Sequence, residues 1–268
     1  MKKIYKLMVA CLMGLTLTNC NDFLDYNPTA VIDEDKAFSE PEKMVNAAYA
    51  MLGDCWFSYP FNLFPYGDIT SDDCLKGGSG TTDTGYHPFE IWSTLTATTP
   101  GEMDELWYRL YCAVSRCNRA LVSLERNGVA KLGSDISEQR IAEVKFLRAH
   151  FYYKLLTVFR QVPWIDEVAY LNNSIEQIPN DEFSYEGLFG KVIADFETAY
   201  NVLPEKQSDG GRVNKIAAAA YLAKCYLGLA WGDGYEATTG VNHINEEYMR
   251  KVVIYTDEVA NSDYDYLE

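Results

Sequence analysis

The sequence is short of histidine, of glycine and proline, and of positive charge. Its 268 residues include three histidines, 18 glycines and nine prolines. That is too little glycine and proline for a collagen-like or linker-like chain, and a hydrophobic content of 48% is that of a folded protein. The 23 basic residues are outnumbered by 39 acidic ones, which gives a formal charge of −16. A surface of this sign repels phosphate backbones, so we expect no nucleic-acid partner.

Motifs that carry common enzyme chemistry are also missing. His87, His150 and His243 do not have metal-ligand spacing, and there is no GxSxG, no GxxxxGK and no GxGxxG after a strand. We therefore expect no catalytic residue, no metal and no cofactor. A glycoside hydrolase needs only two carboxylates, however, and 39 acidic residues always offer a pair. An all-α glycoside hydrolase that uses a carboxylate pair stays open as an alternative.

Long apolar runs are confined to the start of the chain. Three lysines within the first six residues precede an apolar run over 7–17. The run is too short to span a bilayer but has the length of the central region of a secretory signal. It ends in Leu17-Thr18-Asn19-Cys20, which resembles the lipobox of bacterial lipoproteins. The pattern predicts a lipoprotein signal peptide over 1–19, acylation of Cys20 and a polar tether over 20–38. A plain secretory signal with an incidental cysteine is the alternative.

The cysteines do not form a pattern of their own. Of seven, Cys11 would leave with the signal and Cys20 would carry lipid. The five that remain are an odd number, which disfavours a dense disulfide framework. Cys55 and Cys74 flank one loop region and could pair. We expect no zinc site, because Cys112 and its neighbour five residues later lie on different faces of a predicted helix.

Apolar residues recur at helical spacing in most of the remaining chain. A capping box from Ser39 to Glu42 predicts the first helix start, and Asn127-Gly128 predicts the end of the second helix. Helices joined by short loops should lie antiparallel, and such hairpins are typical of tetratricopeptide-like solenoids. The sequence thus predicts an all-α domain over 39–268, with helices at about 39–52, 102–126, 137–159, 184–203, 215–230 and 246–260.

A long stretch over 54–101 interrupts this pattern and is rich in aromatic residues. A loop of this length inside a compact domain is uncommon unless it is functional. Flat rings stack on the apolar faces of sugars while nearby polar groups take the hydroxyls, so the stretch suits a binding site. The alternative is that the rings anchor the loop on the helices. The rings are Trp56, Phe57, Tyr59, Phe61, Phe64, Tyr66, Tyr86, Phe89 and Trp92. The candidate ligand-binding residues are Trp92, Tyr86, Phe89, Tyr66 and Lys76.

Several motifs, taken in order, resemble the SusD/RagB family of nutrient-uptake lipoproteins of Gram-negative outer membranes. They extend from the predicted lipidation site into the second half of the chain. The most specific is the segment 143–152, which reads EVKFLRAHFY and leads to Val162-Pro163-Trp164. The others are DFLDYNP at 22–28, NAAY at 46–49, Trp107-x3-Tyr111, RCN at 116–118 and GRVNKIAA at 211–218.

The resemblance implies a SusD-like α-α superhelix and a function. Such a protein binds glycans or other nutrients at the cell surface, is held in the outer membrane by its lipid, and works with a SusC-type TonB-dependent transporter without doing chemistry. Family members are about twice as long, so the resemblance also implies a truncated chain. A sugar-stacking tryptophan in the loop before the second helix is best matched by Trp92. A pure tetratricopeptide-type scaffold for protein partners is a further alternative.

Overall fold

The computed structural model describes residues 34–53, 64–78, 86–93, 102–172, 178–231 and 244–263. The chain divides into two units, residues 1–36 and 37–268. The described residues contain no strand, and the all-α prediction is confirmed. The helices are α1 Glu34–Phe38, α2 Pro41–Tyr49, α3 His87–Glu90, α4 Glu102–Leu132, α5 Ser134–Phe159, α6 Glu167–Leu171, α7 Tyr185–Val202, α8 Lys215–Trp231 and α9 Glu246–Ala260.

Some sequence predictions lie outside the described residues. These are the signal peptide, the acylation of Cys20, most of the tether, Cys55, and the rings of Trp56, Phe57, Tyr59 and Phe61. Cys74 carries a free thiol, as do Cys112, Cys117 and Cys225. Cys74 is therefore not in a disulfide, and the suggested pairing with Cys55 is not formed.

The long helices α4 and α5 form an antiparallel hairpin around Gly133, whose φ is 85°. A positive φ is readily adopted only by glycine, so this residue can end α4 and turn the chain at once into α5. The contacts between the helices pair residues at similar distances from the turn, which are Gly128 with Ser137, Asn118 with Arg148, and Trp107 with Phe159.

Helices α7 and α8 form a second hairpin, against which α9 packs. The rings of Phe196 and Tyr221 stack between α7 and α8, with centroids 5.1 Å apart. Tyr255 of α9 contacts both helices, because its ring lies 5.9 Å from Tyr226 and 5.4 Å from Tyr200. Side-chain caps begin these helices: Ser184 accepts from Gly187 N, Asn214 from Ala217 N and Asn245 from Tyr248 N.

The main core is shared by both hairpins and α2. Its largest fully buried side chains include Tyr152 and Phe151 of α5 and Phe196 of α7. Apolar residues from five helices meet in one cluster, so the two hairpins fold around a common interior.

A buried carboxylate ties α2 to the second hairpin. Glu143 is fully buried, and its carboxylate accepts hydrogen bonds from Arg140 Nη1 at 2.7 Å, Arg212 Nη1 at 2.8 Å and the Tyr49 hydroxyl at 3.0 Å. Both arginines also bond Glu42. The N-cap of α2 is Glu40, with Pro41 as the first helical residue, so the predicted helix start with Ser39 as the cap is wrong by one residue.

Other boundaries also differ from the predictions. Helix α4 continues through Asn127-Gly128 to Leu132, and the connection to α5 is Gly133 alone rather than about ten residues. The stretch predicted to be non-helical contains α3 and a π-helical turn over Pro65–Ile69. Each of these turns has a proline among its first residues, where its missing N–H costs nothing. The short helix α6, capped by Asp166, was not predicted.

Candidate ligand-binding site

The described part of the aromatic stretch, residues 64–78 and 86–93, forms a small packed unit that we call the aromatic segment. Its two pieces meet through edge-to-face ring pairs. Tyr66 and Phe89 have centroids 5.2 Å apart, and Phe64 and Tyr86 are 6.5 Å apart. Ile69 and Phe89 are buried. The segment thus has an interior of its own, which orients the residues on its surface.

Trp92 is the outward-facing ring of this segment. Its side chain is 72% exposed, whereas Phe89, three residues earlier, is 6% exposed. Trp92 has a φ of 48°, a left-handed conformation that costs a non-glycine residue about 1–2 kcal/mol. Hydrogen bonds on both sides hold this turn, from Ile91 N to His87 O at 3.2 Å and from Ser93 N to Pro88 O at 3.1 Å. The strained, hydrogen-bonded turn therefore presents the Trp92 ring to solvent.

Tyr86 and Lys76 belong to the same segment as Trp92. Tyr86 is half-buried, and Lys76 is half-buried with its ammonium group 3.3 Å from the Gly77 carbonyl oxygen. Carboxylates also occur here. Partial burial and the charges of Asp68 and Asp73 raise the pKa of the Cys74 thiol. The segment therefore combines exposed aromatic surface with an ammonium group and carboxylates that can form hydrogen bonds.

The five predicted residues divide into two kinds. Phe89 is buried and Tyr66 packs on it, so these two rings support the segment, as the anchoring alternative expects for single rings. Trp92, Tyr86 and Lys76 retain exposed surface. Exposed apolar side chains at Leu75 (75%) and Ile91 (54%) were not singled out from the sequence. An isolated apolar residue in a loop gives no signal that distinguishes an exposed position from a buried one.

Residues of three of the motifs that suggested the family, Trp107-x3-Tyr111, RCN at 116–118 and the segment 143–152 with Val162-Pro163-Trp164, meet between α4 and the segment after α5. The Tyr111 hydroxyl donates to the Pro163 carbonyl at 2.8 Å, and the Asn118 amide donates to the Ile165 carbonyl at 2.9 Å. Trp164 stacks on Tyr152, with centroids 4.2 Å apart. These contacts hold the segment after α5 against α4, so the motif residues are explained as parts of the fold.

A family model described as starch-binding associating with outer membrane, the SusD-like family, matches residues 22–227. The match covers more than half of the chain. The chain belongs to the SusD-like family.

Curated relatives have the same family character. The SusD-like protein P2 of Formosa agariphila is 28% identical over 236 residues, covering 85% of this chain and 43% of that protein. A SusD-like protein of Bacteroides ovatus is 25% identical over 253 residues, covering 92% of this chain and 44% of that protein. The chain thus spans less than half the length of these relatives.

Solved structures agree in fold. A laminarin-binding SusD-like protein superposes with a TM-score of 0.61 at 20% identity, covering 83% of this chain and 43% of that one. A SusD-like protein from Bacteroides fragilis has a TM-score of 0.64 at 21% identity, covering 88% and 40%. A structure with xylogluco-oligosaccharide has a TM-score of 0.60 at 23% identity, covering 83% and 41%. The prediction of a SusD-like helical fold is confirmed.

Proposed function

We propose that this protein is a non-catalytic glycan-binding lipoprotein of the cell surface that works with a SusC-type TonB-dependent transporter of the outer membrane. The observation that carries the proposal is the exposed Trp92 on the packed aromatic segment. A tryptophan that is 72% exposed contributes little to the core, yet its turn carries backbone strain. Such an arrangement is expected where a ring has a ligand to contact.

Binding in this proposal is shared among several weak contacts. The Trp92 ring stacks on the apolar face of a sugar, while Tyr86 and Lys76 contact its hydroxyls. Tyr66 and Phe89 hold the segment in shape. One ring contact contributes about 1 kcal/mol, so a monosaccharide would bind weakly and a longer glycan that makes several contacts more tightly.

The relatives support a carbohydrate as the ligand class. The family model is described as starch-binding. Of two solved structures of the same fold, one is a laminarin-binding protein and the other contains a xylogluco-oligosaccharide. Starch, laminarin and xylogluco-oligosaccharides are therefore the first probes to use with this chain.

Attachment to the outer membrane would come from the acyl chains on Cys20. No helix among residues 34–263, as far as they are described, is long and apolar enough to cross a bilayer. One acyl chain anchors only marginally, so stable attachment needs more than one chain on Cys20, and contact with the transporter would add to it. Mass spectrometry of the mature protein tests the anchor. We expect an N-terminus at Cys20 that carries lipid, whereas an unmodified chain that begins elsewhere would contradict it.

A glycan panel tests the proposal as a whole. The purified protein is incubated with immobilised starch, laminarin and xyloglucan, retention is measured, and the supernatant is analysed for reducing ends. We expect retention on at least one glycan without product release. Product release that is lost on changing one acidic pair would favour the glycoside hydrolase. Absence of retention on every glycan, with co-purification of a transporter from native membranes, would favour the protein-binding scaffold.

A further inference from the structure

A cavity of about 340 Å³ lies between α4 and the segment that follows α5. Its volume is within the range of about 300–1,000 Å³ that is usual for small-molecule sites. Trp92 does not line it, so the cavity is a feature separate from the aromatic segment. Three aromatic rings contribute to its wall, those of Trp107, Tyr111 and Tyr170.

The position of two of these rings is fixed by other contacts. Trp107 packs on Tyr111 at 4.9 Å and meets the edge of Phe159 at 5.0 Å. The Tyr111 hydroxyl is held by the Pro163 carbonyl at 2.8 Å. The wall is therefore formed before any ligand arrives, which lowers the entropic cost of binding.

Polar groups on the same wall have unused hydrogen-bonding capacity. Asn118 donates one amide N–H to the Ile165 carbonyl and accepts from Arg148, which leaves its second N–H unused within the described chain. Among the residues that the structure describes, neither the Ser115 hydroxyl nor the Trp107 indole N–H has a hydrogen-bond partner. The lining is mostly apolar, and Ser115, Asn118 and Trp107 supply its few polar groups. A mostly apolar lining with a small number of polar groups is the composition usual for a small-molecule site.

The charges behind the wall favour a neutral ligand. Arg148 contacts Asn118, with Nη1 at 3.1 Å from the Asn118 side-chain oxygen. Arg148 is already paired with Asp195 and Glu167. It has no unbalanced positive charge to offer an anionic ligand.

We propose that this cavity is a second carbohydrate subsite, which takes one pyranose unit. The inference rests on the proposed function, since it extends glycan binding from the aromatic segment to a second place. The apolar face of the sugar lies against the aromatic wall, and its hydroxyls bond the free groups of Asn118, Ser115 and Trp107. A glycan bound at Trp92 and a sugar bound here are independent events.

Nuclear magnetic resonance of the tryptophan side chains tests the subsite. The indole N–H signal of Trp107 is assigned by its loss in Trp107→Phe, and methyl β-D-glucopyranoside is titrated into the labelled protein. We expect the signal to shift on titration in the wild type and in Trp92→Ala. Ser115→Phe places a ring in the cavity and should weaken the response at least tenfold. Glu125→Phe adds the same ring at an exposed position of α4 and should leave it unchanged.

Each outcome has one consequence. Cyclohexanol is the matched probe without the sugar hydroxyls, and an equal response to it would overturn the carbohydrate assignment. A Trp107 signal that glucoside does not move would overturn the subsite, while retention on the glycan panel that depends on Trp92 would leave the proposed function intact. If Ser115→Phe has lost its native circular dichroism, Ser115→Leu takes its place, and a response equal to wild type in that variant counts against the subsite.

Discussion

Arg148 and Asp195 form a two-pronged ion pair between α5 and α7, with Nε to Oδ2 at 2.7 Å and Nη2 to Oδ1 at 3.0 Å. Both residues are buried, and the guanidinium also bonds Asn118 and Glu167. Burial by itself lowers the pKa of Arg148, but the charges of Asp195 and Glu167 outweigh it and raise that pKa. One charged side chain therefore links α4, α5, α6 and α7.

Removing one partner of this pair should be costly. Asp195→Asn leaves the Arg148 charge buried without its main partner, so we expect the free energy of unfolding to fall by about 3–5 kcal/mol. Urea unfolding followed by circular dichroism measures it. Glu246→Gln is the matched control, because Glu246 pairs with Arg250 on the exposed face of α9 and should cost less than about 1 kcal/mol. Similar losses in both variants would show that the buried pair has no special role.

The carboxylate of Glu143 should be similarly sensitive. Glu143→Gln removes a buried charge that Arg140 and Arg212 share, and we expect a loss of about 3–5 kcal/mol in unfolding free energy. Asp209→Asn serves as control, since Asp209 also contacts Arg212, at 3.5 Å, but its side chain is 66% exposed. We expect the control to change stability by less than about 1 kcal/mol. A control as damaging as Glu143→Gln would contradict this interpretation.

The free energy of unfolding should decrease as the pH is lowered, because of His150. Burial, with Lys154 and Lys224, lowers the pKa of His150 to about 3. The unfolded chain therefore binds a proton at this residue below pH of about 6.5, while the folded chain does not until pH of about 3. The stability that neutral His150 provides is complete above the unfolded pKa and is lost as the pH falls through this window, by up to about 1.4 kcal/mol per pH unit.

Comparison of wild type with His150→Gln isolates this effect. Urea unfolding at pH 7, 6 and 5 gives the slope of stability against pH for each protein. We expect the wild type to show the steeper slope, since the substitution removes the titrating group. His87 is exposed and is kept in both proteins. Equal slopes would mean that His150 does not titrate differently in the folded and unfolded chains.

The long helices were predictable because their apolar residues recur at regular helical spacing. The predicted end of α4 at Asn127-Gly128 was wrong. This pair usually ends a helix, yet here Gly128 faces α5, where a Cβ would lie 2.2 Å from Ser137 Oγ. The glycine leaves room for the Ser137 side chain, and α4 continues to the glycine with positive φ at 133. A close approach between two neighbouring helices is not visible in the local sequence pattern.

The candidate site was predictable only as a region. Composition marks 54–101 as aromatic, but nothing local distinguishes Phe89, which is buried, from Trp92, which is exposed. That distinction arises from the left-handed turn at Trp92 and from the packing of Tyr66 on Phe89. The cavity was missed altogether, because Trp107 and Asn118 read as members of one apolar helix stripe. The space lies between α4 and the segment after α5, and it is seen only when the position of that segment is known.

The affinity of Trp92→Ala for a glycan tests the central claim most directly. Isothermal titration with the oligosaccharide that the panel retains gives the affinity, and urea unfolding of the same variant gives the stability. We expect binding to weaken by about 1–3 kcal/mol, roughly 5- to 160-fold, with stability changed by less than about 0.5 kcal/mol because the ring is exposed. Trp164→Ala, which removes a ring that is 7% exposed, should instead cost about 3–5 kcal/mol of stability. Unchanged affinity in a stably folded Trp92→Ala protein would contradict the account.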